Sequence, residues 1–273
     1  MIEVGPEYGF EMAALTDVGM VRDHNEDHCA VFLENAACGV ALVADGVSGS
    51  EGGETASRMA VEVSLRAFQE HPPSLGPMRR LTRSVQQANI EVHELSLFVP
   101  ELRGMATTLT AAVIDRGELT AAHVGDSRLY LSRGGTITQL TKDHTVAAEQ
   151  NRLGLLSDER ARRHPGKAML TRSLGRELIC AIDRIALPLL QGDALLLCSD
   201  GLHGVLEDSE LESLMRGANA ESACRALIDA ARARGAPDNL TAAVVRMTGP
   251  IPAATRPAGL TDRLRQLVGL RSP

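Results

Sequence analysis

Five short acidic motifs stand at the ends of apolar runs in this chain: Asn25-Glu26-Asp27, Asp45-Gly46, Gly125-Asp126-Ser127, Ser199-Asp200-Gly201 and Asp238-Asn239. Three of the acids close a run. Asp45 follows Gly39 to Ala44, Asp126 follows Leu119 to Gly125, and Asp200 follows Ala194 to Ser199. Two open one: Asp27 precedes Cys29 to Leu33, and Asp238 precedes Leu240 to Val245. Apolar runs of this length, bounded by Gly, Asp and Asn, read as buried strands. In an antiparallel sheet the end of one strand and the start of the next share an edge. The placement therefore predicts that all five acids meet at one rim. An all-oxygen cluster of that kind suits a hard divalent cation, Mg²⁺ or Mn²⁺.

Taken singly, an Asp or Asn beside Gly is an ordinary turn residue. The set says more than its members. Two carboxylates about 4 Å apart repel by roughly 4 kcal/mol at a surface-like dielectric. A fold that gathers several of them calls for a cation between them.

The elements that must carry these acids follow from the hydrophobic pattern. Asn25 to Ala44 reads as two strands, and Thr107 to Leu140 as four, with turns at Asp115-Arg116-Gly117 and Arg133-Gly134-Gly135. Further strands are expected near Cys180 to Leu187, Ala194 to Cys198 and Leu240 to Met247. Helical spacing marks Gly53 to Glu70, Leu75 to Leu97, Ser209 to Met215 and Ser222 to Arg234. Thr141 to Ser173 is polar, rich in Arg and His, and holds two short helical patterns. Strand groups interrupted by helix pairs indicate an α+β layered domain of antiparallel sheets with helices outside. After Met247 the composition shifts. Gly249, Pro250, Pro252 and Pro257 mark a linker, and Leu260 to Leu270 reads as a short amphipathic helix.

Bulk properties exclude some functions. Of the 273 residues, 44% are apolar, enough for a core, while aromatics are only 2%, so Leu, Val, Ala and Ile must fill it. A formal net charge of −7 with no long basic run argues against nucleic acid and against acidic lipid as partners. The five cysteines form no C-x-x-C and are odd in number, the usage of a reducing compartment. The first 20 residues have no basic segment before an apolar one, and no apolar stretch reaches membrane-spanning length. The expectation is a soluble cytoplasmic protein that does not engage a membrane.

The order of the motifs carries a resemblance. Thr16 to Asp27, with Arg22 and Asn25-Glu26-Asp27 inside it, resembles the opening signature of PPM-type phosphatases, the protein phosphatase 2C-like family, in its bacterial branch. Val43-Ala44-Asp45-Gly46-Val47-Ser48-Gly49, with Gly53-Glu54-Thr55-Ala56-Ser57 after it, and then Gly104-Met105-Ala106-Thr107-Thr108, are similar to the next motifs. Val124 to Arg128, Leu170 to Gly175, Ser199 to Leu202 and Pro237 to Thr241 complete the set in family order. The resemblance spans roughly Ala13 to Met247.

It implies a four-layer αββα sandwich of two antiparallel sheets flanked by helices, with two Mg²⁺ or Mn²⁺ on one rim and a weaker third. By motif position Asp45 would bridge the two metals, the Gly46 carbonyl would ligate one, and Asp200 and Asp238 would bind the other. Glu26 and Asp27 would ligate or support the ligands, Asp126 would serve the third metal, and Arg22 would hold the substrate phosphate. A metal-activated water would then be the nucleophile, and Arg offers phosphate a planar fork. No thiol or hydroxyl nucleophile is needed.

Some positions depart from the pattern. Val47 stands where many eukaryotic members have a His proposed as the leaving-group acid; His203 is a possible substitute, against a satisfied loop histidine. Ser48 and Ser50 replace a common Gly and His, and Ala106 replaces a Gly. Gly204 stands where a second acid often follows Asp200, which weakens the third metal site.

The resemblance makes Thr141 to Ser173 a flap beside the active site, with Arg152, Arg160, Arg162, Arg163, His164 and Lys167 either as a solvated face or as a positive lid for acidic targets. Residues 1–247 are then the catalytic domain and 248–273 a Pro-containing linker and tail, docked on its own domain or free for a partner. The expected activity is hydrolysis of phosphoserine and phosphothreonine on proteins, by a monomer that reverses Ser/Thr kinase signalling and acts on a kinase or its substrates. The rival readings are a phosphoprotein-binding pseudophosphatase on the same fold and a hydrolase of small phosphate esters.

Overall fold

The computed structural model describes residues 9–47, 52–217 and 219–249. Its strands are β1 (Glu11–Asp17), β2 (Asp27–Asn35), β3 (Cys38–Asp45), β4 (Leu109–Asp115), β5 (Glu118–Val124), β6 (Arg128–Arg133), β7 (Thr136–Gln139), β8 (Asp183–Pro188), β9 (Ala194–Cys198) and β10 (Leu240–Arg246). They form two five-stranded sheets, ordered β1-β10-β9-β6-β7 and β2-β3-β4-β5-β8, and every pairing is antiparallel. The helices are α1 (Gly52–Glu70), α2 (Pro77–Phe98), α3 (Val146–Arg152), α4 (Asp158–Arg162), α5 (Asp200–His203), α6 (Asp208–Met215) and α7 (Ala220–Ala233).

The unbroken apolar runs are explained by burial on both faces. Successive side chains of a strand point to opposite sides. In β3, Ala41 and Val43 enter the space between the sheets, where they join Leu195 and Leu197 of β9. Val40, Leu42 and Ala44 face the other way, onto Ala60, Val61 and Phe68 of α1 and Leu81 and Val85 of α2. Likewise Leu196 and Cys198 of β9 meet Leu227, Ile228 and Ala231 of α7. Three apolar layers result, and the stack is helix, sheet, sheet, helix, as the resemblance implies. Each fully buried Leu or Val contributes about 1.5–3 kcal/mol relative to exposure.

The rim opposite the acids is closed by matched charges. Arg133 of β6 donates through Nε and Nη2 to both oxygens of Asp193 at 2.9 and 2.7 Å, and the Asp193 side chain is 2% exposed. Arg80 of α2 forks onto Glu34 at the end of β2 at 3.0 and 2.5 Å, donates to the Phe68 carbonyl at 2.7 Å and lies 3.9 Å over the Phe68 ring.

The structure departs from the expected elements at several places. β1 was not expected: Glu11 to Asp17 has acidic ends and two central alanines, and it becomes a strand by pairing with β10 along its whole length. The second helix begins at Pro77, whose fixed φ suits a first helical position, and Pro73–Leu75 forms a separate 3₁₀ turn. β8 begins at Asp183, not Cys180, because Gln86 and Asn89 of α2 hold the Glu177 and Leu178 carbonyls by hydrogen bonds of 2.9–3.0 Å. The expected linker and amphipathic helix after Pro250, and Ser48 and Ser50, lie outside the described residues. No described helix is long and apolar enough to cross a membrane.

Candidate active site

The antiparallel order brings the five motifs to one rim. Asp27 opens β2 directly opposite Asp45, which closes β3. Asp126 follows β5, Asp200 follows β9, and Asp238 precedes β10, the neighbour of β9. Backbone and hydroxyl contacts fix each acid. The Asp45 amide donates to Thr108 Oγ1 at 2.9 Å, and its carbonyl accepts from Thr107 Oγ1 and the Thr108 amide at 2.8 and 2.9 Å. This is what the paired threonines of Gly104 to Thr108 do. Gly46 donates its amide to the Glu26 carbonyl at 3.0 Å, and a Cβ there would stand 2.3 Å from the Gly53 carbonyl oxygen. Only glycine fits. Gly53 in turn leaves room for Glu26, whose Oε1 would lie 2.6 Å from a Cβ at that position.

Three polar residues outside the expected site organise it. Ser199 and Thr241 both donate to Asp27 Oδ2, at 2.6 and 2.7 Å. Asn239 accepts the Glu26 amide at 2.9 Å and donates to the Val18 and His24 carbonyls, each at 2.9 Å. It stitches the segment carrying Arg22 and Glu26 to the β10 end. Ser199 and Asn239 sit inside recognised motifs, but no local pattern announces a partner some 170 or more residues away.

The electrostatics of the rim are those of an under-neutralised cluster. Burial pushes Asp27 up to about 7, against the two hydroxyl donors and with help from Asp200 and Asp238. Burial, then the charges of Asp27, Asp200 and Asp126, holds Asp45 well above the usual carboxylate range. Asp126 is raised by burial and by Asp200, and Asp200 by burial and by Asp238. The carboxyls of Asp45 and Asp200 come within hydrogen-bonding reach of each other. Two carboxyls so placed share a proton where a cation would otherwise balance both. Among the described residues no three acids are yet closed around one point at ligand spacing. The rim is a gathered set of hard oxygen donors, and its chemistry fits Mg²⁺ or Mn²⁺.

Arg22 is half-exposed and donates from Nη2 to Asp238 Oδ2 at 2.9 Å. Against partial burial, Asp238 across the rim raises the Arg22 pKa, with help from Glu26 and Asp200. His203, weighed as a leaving-group acid, is half-buried. Its Nε2 donates to the Asp126 carbonyl at 3.0 Å, and burial lowers its pKa to about 4. It is a satisfied histidine that anchors the Asp126 loop. At Gly204 a Cβ would lie 2.7 Å from the Asp200 carbonyl oxygen, so an acid there would require the helix start to shift. All five cysteines are free, and burial raises each thiol to about 11 or 12, which removes thiolate chemistry.

The segment from Thr141 to Ser173 contains α3 and α4, capped by Thr145 and Ser157. Arg152, Arg160, Arg162, Arg163 and Lys167 are exposed on it. Arg163 is partly balanced by Glu159 at 3.5 Å, and His164 is half-buried, with Nδ1 accepting the Gly166 amide at 3.0 Å.

The chain is similar to known proteins in sequence and in fold. Residues 21–244 match the family model described as protein phosphatase 2C. The chain is 36% identical over 234 residues to the serine/threonine phosphatase stp of Listeria welshimeri, covering 84% of this chain and 93% of that one. The crystal structure of the serine/threonine phosphatase PstP/Ppp of Mycobacterium tuberculosis superposes with a TM-score of 0.79 at 31% identity, over 88% of this chain and 99% of that one. A PstP catalytic domain in complex with two manganese ions superposes with a TM-score of 0.77 at 30% identity, over 88% and 98% of the two chains.

Proposed function

The chain belongs to the protein phosphatase 2C family and is a serine/threonine protein phosphatase, and from that premise we propose that its acid rim works as a two-metal hydrolytic site. The observation that carries this reading is the concentration of buried or half-buried, mutually repelling carboxylates at Asp27, Asp45, Asp126 and Asp200. The PstP complex with two manganese ions supports it by likeness. Two bound cations supply a water nucleophile at neutral pH and positive charge for the phosphoryl oxygens.

The chain's own residues do the rest. Asp45 lies between Asp27 and Asp200 and is the natural bridging ligand, with the Gly46 carbonyl beside it. Asp200 and Asp238 hold the second position. Glu26 stands against the start of α1 and reaches the rim over Gly53. Asp27 has Oδ2 taken by two hydroxyls, which leaves Oδ1 for the site and makes it as much an orienting acid as a ligand. Asp126 serves a third, weaker position that lacks a companion acid at Gly204. Arg22 shares its fork between Asp238 and the phosphoryl oxygens, so it positions the ester for in-line attack. With Val47 after Asp45-Gly46 and His203 committed to the Asp126 carbonyl, a solvent water protonates the departing Ser or Thr oxygen.

The substrates on this reading are phosphorylated proteins, among them a Ser/Thr kinase or its targets. The exposed arginines of the flap steer acidic phosphoproteins toward an otherwise acidic molecule. Residues 1–247 suffice for catalysis, and the protein acts as a monomer. Turnover of a phosphothreonine peptide and of an aryl phosphate, with Mn²⁺, with Mg²⁺ and with excess chelator, tests the reading. Dependence on either metal and preference for the peptide support it. Metal-bound protein that holds the peptide without turning it over contradicts it.

A further inference from the structure

Asp126 is carried on a tight turn. It follows Gly125, which sits at φ 109°, where a Cβ would strike Thr108 at 2.5 Å. Such a loop keeps its shape only if its amide and carbonyl groups are held. The Asp126 carbonyl is held by His203 and the Ser127 carbonyl by Thr110 Oγ1, at 3.0 and 2.9 Å. Gly125 is held on both sides by one residue. Its carbonyl accepts the His144 amide at 2.8 Å, and its own amide donates to His144 Nδ1 at 3.1 Å.

The proton arrangement of His144 follows from these partners. The Gly125 amide is a fixed donor, so Nδ1 must accept. A neutral ring then carries its proton on Nε2, where Asp183 Oδ2 stands at 3.3 Å. Burial and the neighbouring Arg172 lower the His144 pKa and keep the ring neutral. Arg172 Nη1 lies 3.2 Å from Nε2 and donates to Asp183 Oδ1 at 2.8 Å, which fixes the carboxylate that orients the ring. His123 packs on the ring, with centroids 4.8 Å apart, and its Nε2 donates to the Lys142 carbonyl at 3.1 Å. The His144 ring is 3% exposed. Its carbonyl accepts the Thr171 amide at 2.8 Å, and Thr145 bridges to Leu170, so His144 also clasps the two ends of the flap.

We propose that His144 is a positioning residue of the phosphatase site: oriented by Asp183 and Arg172, it locks the Gly125 amide and so sets Asp126 against Asp200 and Asp45, while joining that loop to the base of the flap. The proposal rests on the phosphatase reading for its kinetic consequence, and on hydrogen-bond geometry alone for its structural one. Partners that orient a ligating group typically change metal affinity or activity 10–100-fold when removed.

The test uses substitutions that keep one half of the ring's hydrogen bonding. In His144→Asn the amide oxygen falls where Nδ1 was and still accepts from Gly125. In His144→Gln the amide reaches the place of Nε2 and loses the Gly125 bond. Hydrogen exchange of the Gly125 amide is measured by NMR in chelator-treated protein, Mn²⁺ affinity by calorimetry, and kcat and KM on an aryl phosphate. The Asn variant should keep slow Gly125 exchange and Mn²⁺ affinity close to wild type. The Gln variant should exchange roughly tenfold faster or more, bind Mn²⁺ about tenfold more weakly and lose kcat with little change in KM. Asp183→Asn, at a half-exposed position, should lose severalfold in Mn²⁺ affinity at an unchanged melting temperature. The inference is overturned if Asn and Gln variants are equally impaired, if the Gln variant keeps wild-type Gly125 exchange, or if Asp183→Asn leaves Mn²⁺ affinity untouched. A wild type inactive on both phosphothreonine peptide and aryl phosphate would instead remove the phosphatase reading, and the exchange comparison in metal-free protein would still decide the role of His144.

Discussion

Strand β9 has an aspartate just outside each end, and the two have opposite surroundings. Asp193, before its first residue, is met by a two-pronged arginine and a backbone amide. Asp200, after its last, faces Asp45, Asp126 and Asp238, and its carboxyl is raised by burial and by Asp238. Strands β2 and β3 repeat the contrast, with Glu34 matched to Arg80 at one end and Asp45 opposite Asp27 at the other. The same residue type does structural work where its charge is answered inside the chain. Where it is left for something outside to answer, it marks the proposed metal site.

The contrast is tested first where it is sharpest. Asp45→Asn or Asp200→Asn should lower kcat/KM by roughly 10²–10³-fold or more. The same changes should leave the melting temperature in chelator unchanged or raised, because a repulsion is relieved. A large drop in apo stability would instead make these acids structural, like Asp193. Arg22→Ala should come next, with kcat/KM down about 10–100-fold and calorimetric metal affinity close to wild type. Arg22→Lys should recover only part, since a point charge lacks the fork. Loss of metal binding in Arg22→Ala would reassign the residue to holding Asp238.

At the matched rim the pattern reverses. Arg133→Ala leaves Asp193 buried without its partner, and it should cost roughly 1–3 kcal/mol in urea unfolding while kcat/KM of the folded fraction stays at wild type. Acid adds a comparison within the acid rim. Burial lowers His123 to about 4, from an unfolded value of about 6.5. Below the unfolded value the unfolded chain gains a proton that the folded chain refuses, so this group's contribution is complete above about pH 6.5 and falls away toward pH 4. Urea midpoints at several pH values should show a loss of roughly 1–3 kcal/mol across that window, smaller in His123→Asn by the same amount. Equal slopes would mean that His123 is not held neutral. The smallest effect expected is on the flap. Charge reversal at Arg160, Arg162 and Arg163 should cost a few-fold in kcat/KM on acidic phosphoproteins, less as salt rises, and nothing on an aryl phosphate. Salt-independent losses on both substrates would make the flap a structural support.

The layered fold was legible because strands buried on both faces cannot hide: β3 and β9 are continuous apolar runs ended by Asp45 and by Ser199-Asp200. β1 was not, since its strand character comes from its pairing with β10 and not from its own residues. The rim acids were legible for the same reason as the strands, each sitting where a run stops or starts. The residues that hold them were not. Thr241 and Ser199 meet Asp27, Arg22 meets Asp238, and His144 meets Gly125 through contacts that exist only once the sheets have stacked. Single-sequence spacing records where a chain turns; it does not record which distant hydroxyl or ring will face the turn.

The central claim is that the acid rim is left unbalanced for metal ions that do the chemistry. Calorimetric titration of Mn²⁺ into chelator-stripped protein, with phosphothreonine-peptide turnover followed at each step, tests it most directly. Wild-type turnover should be absent without metal and rise with Mn²⁺ occupancy, and Asp200→Asn should lose binding and turnover together. Full turnover in excess chelator, or Mn²⁺ binding that Asp200→Asn leaves unchanged, would contradict it.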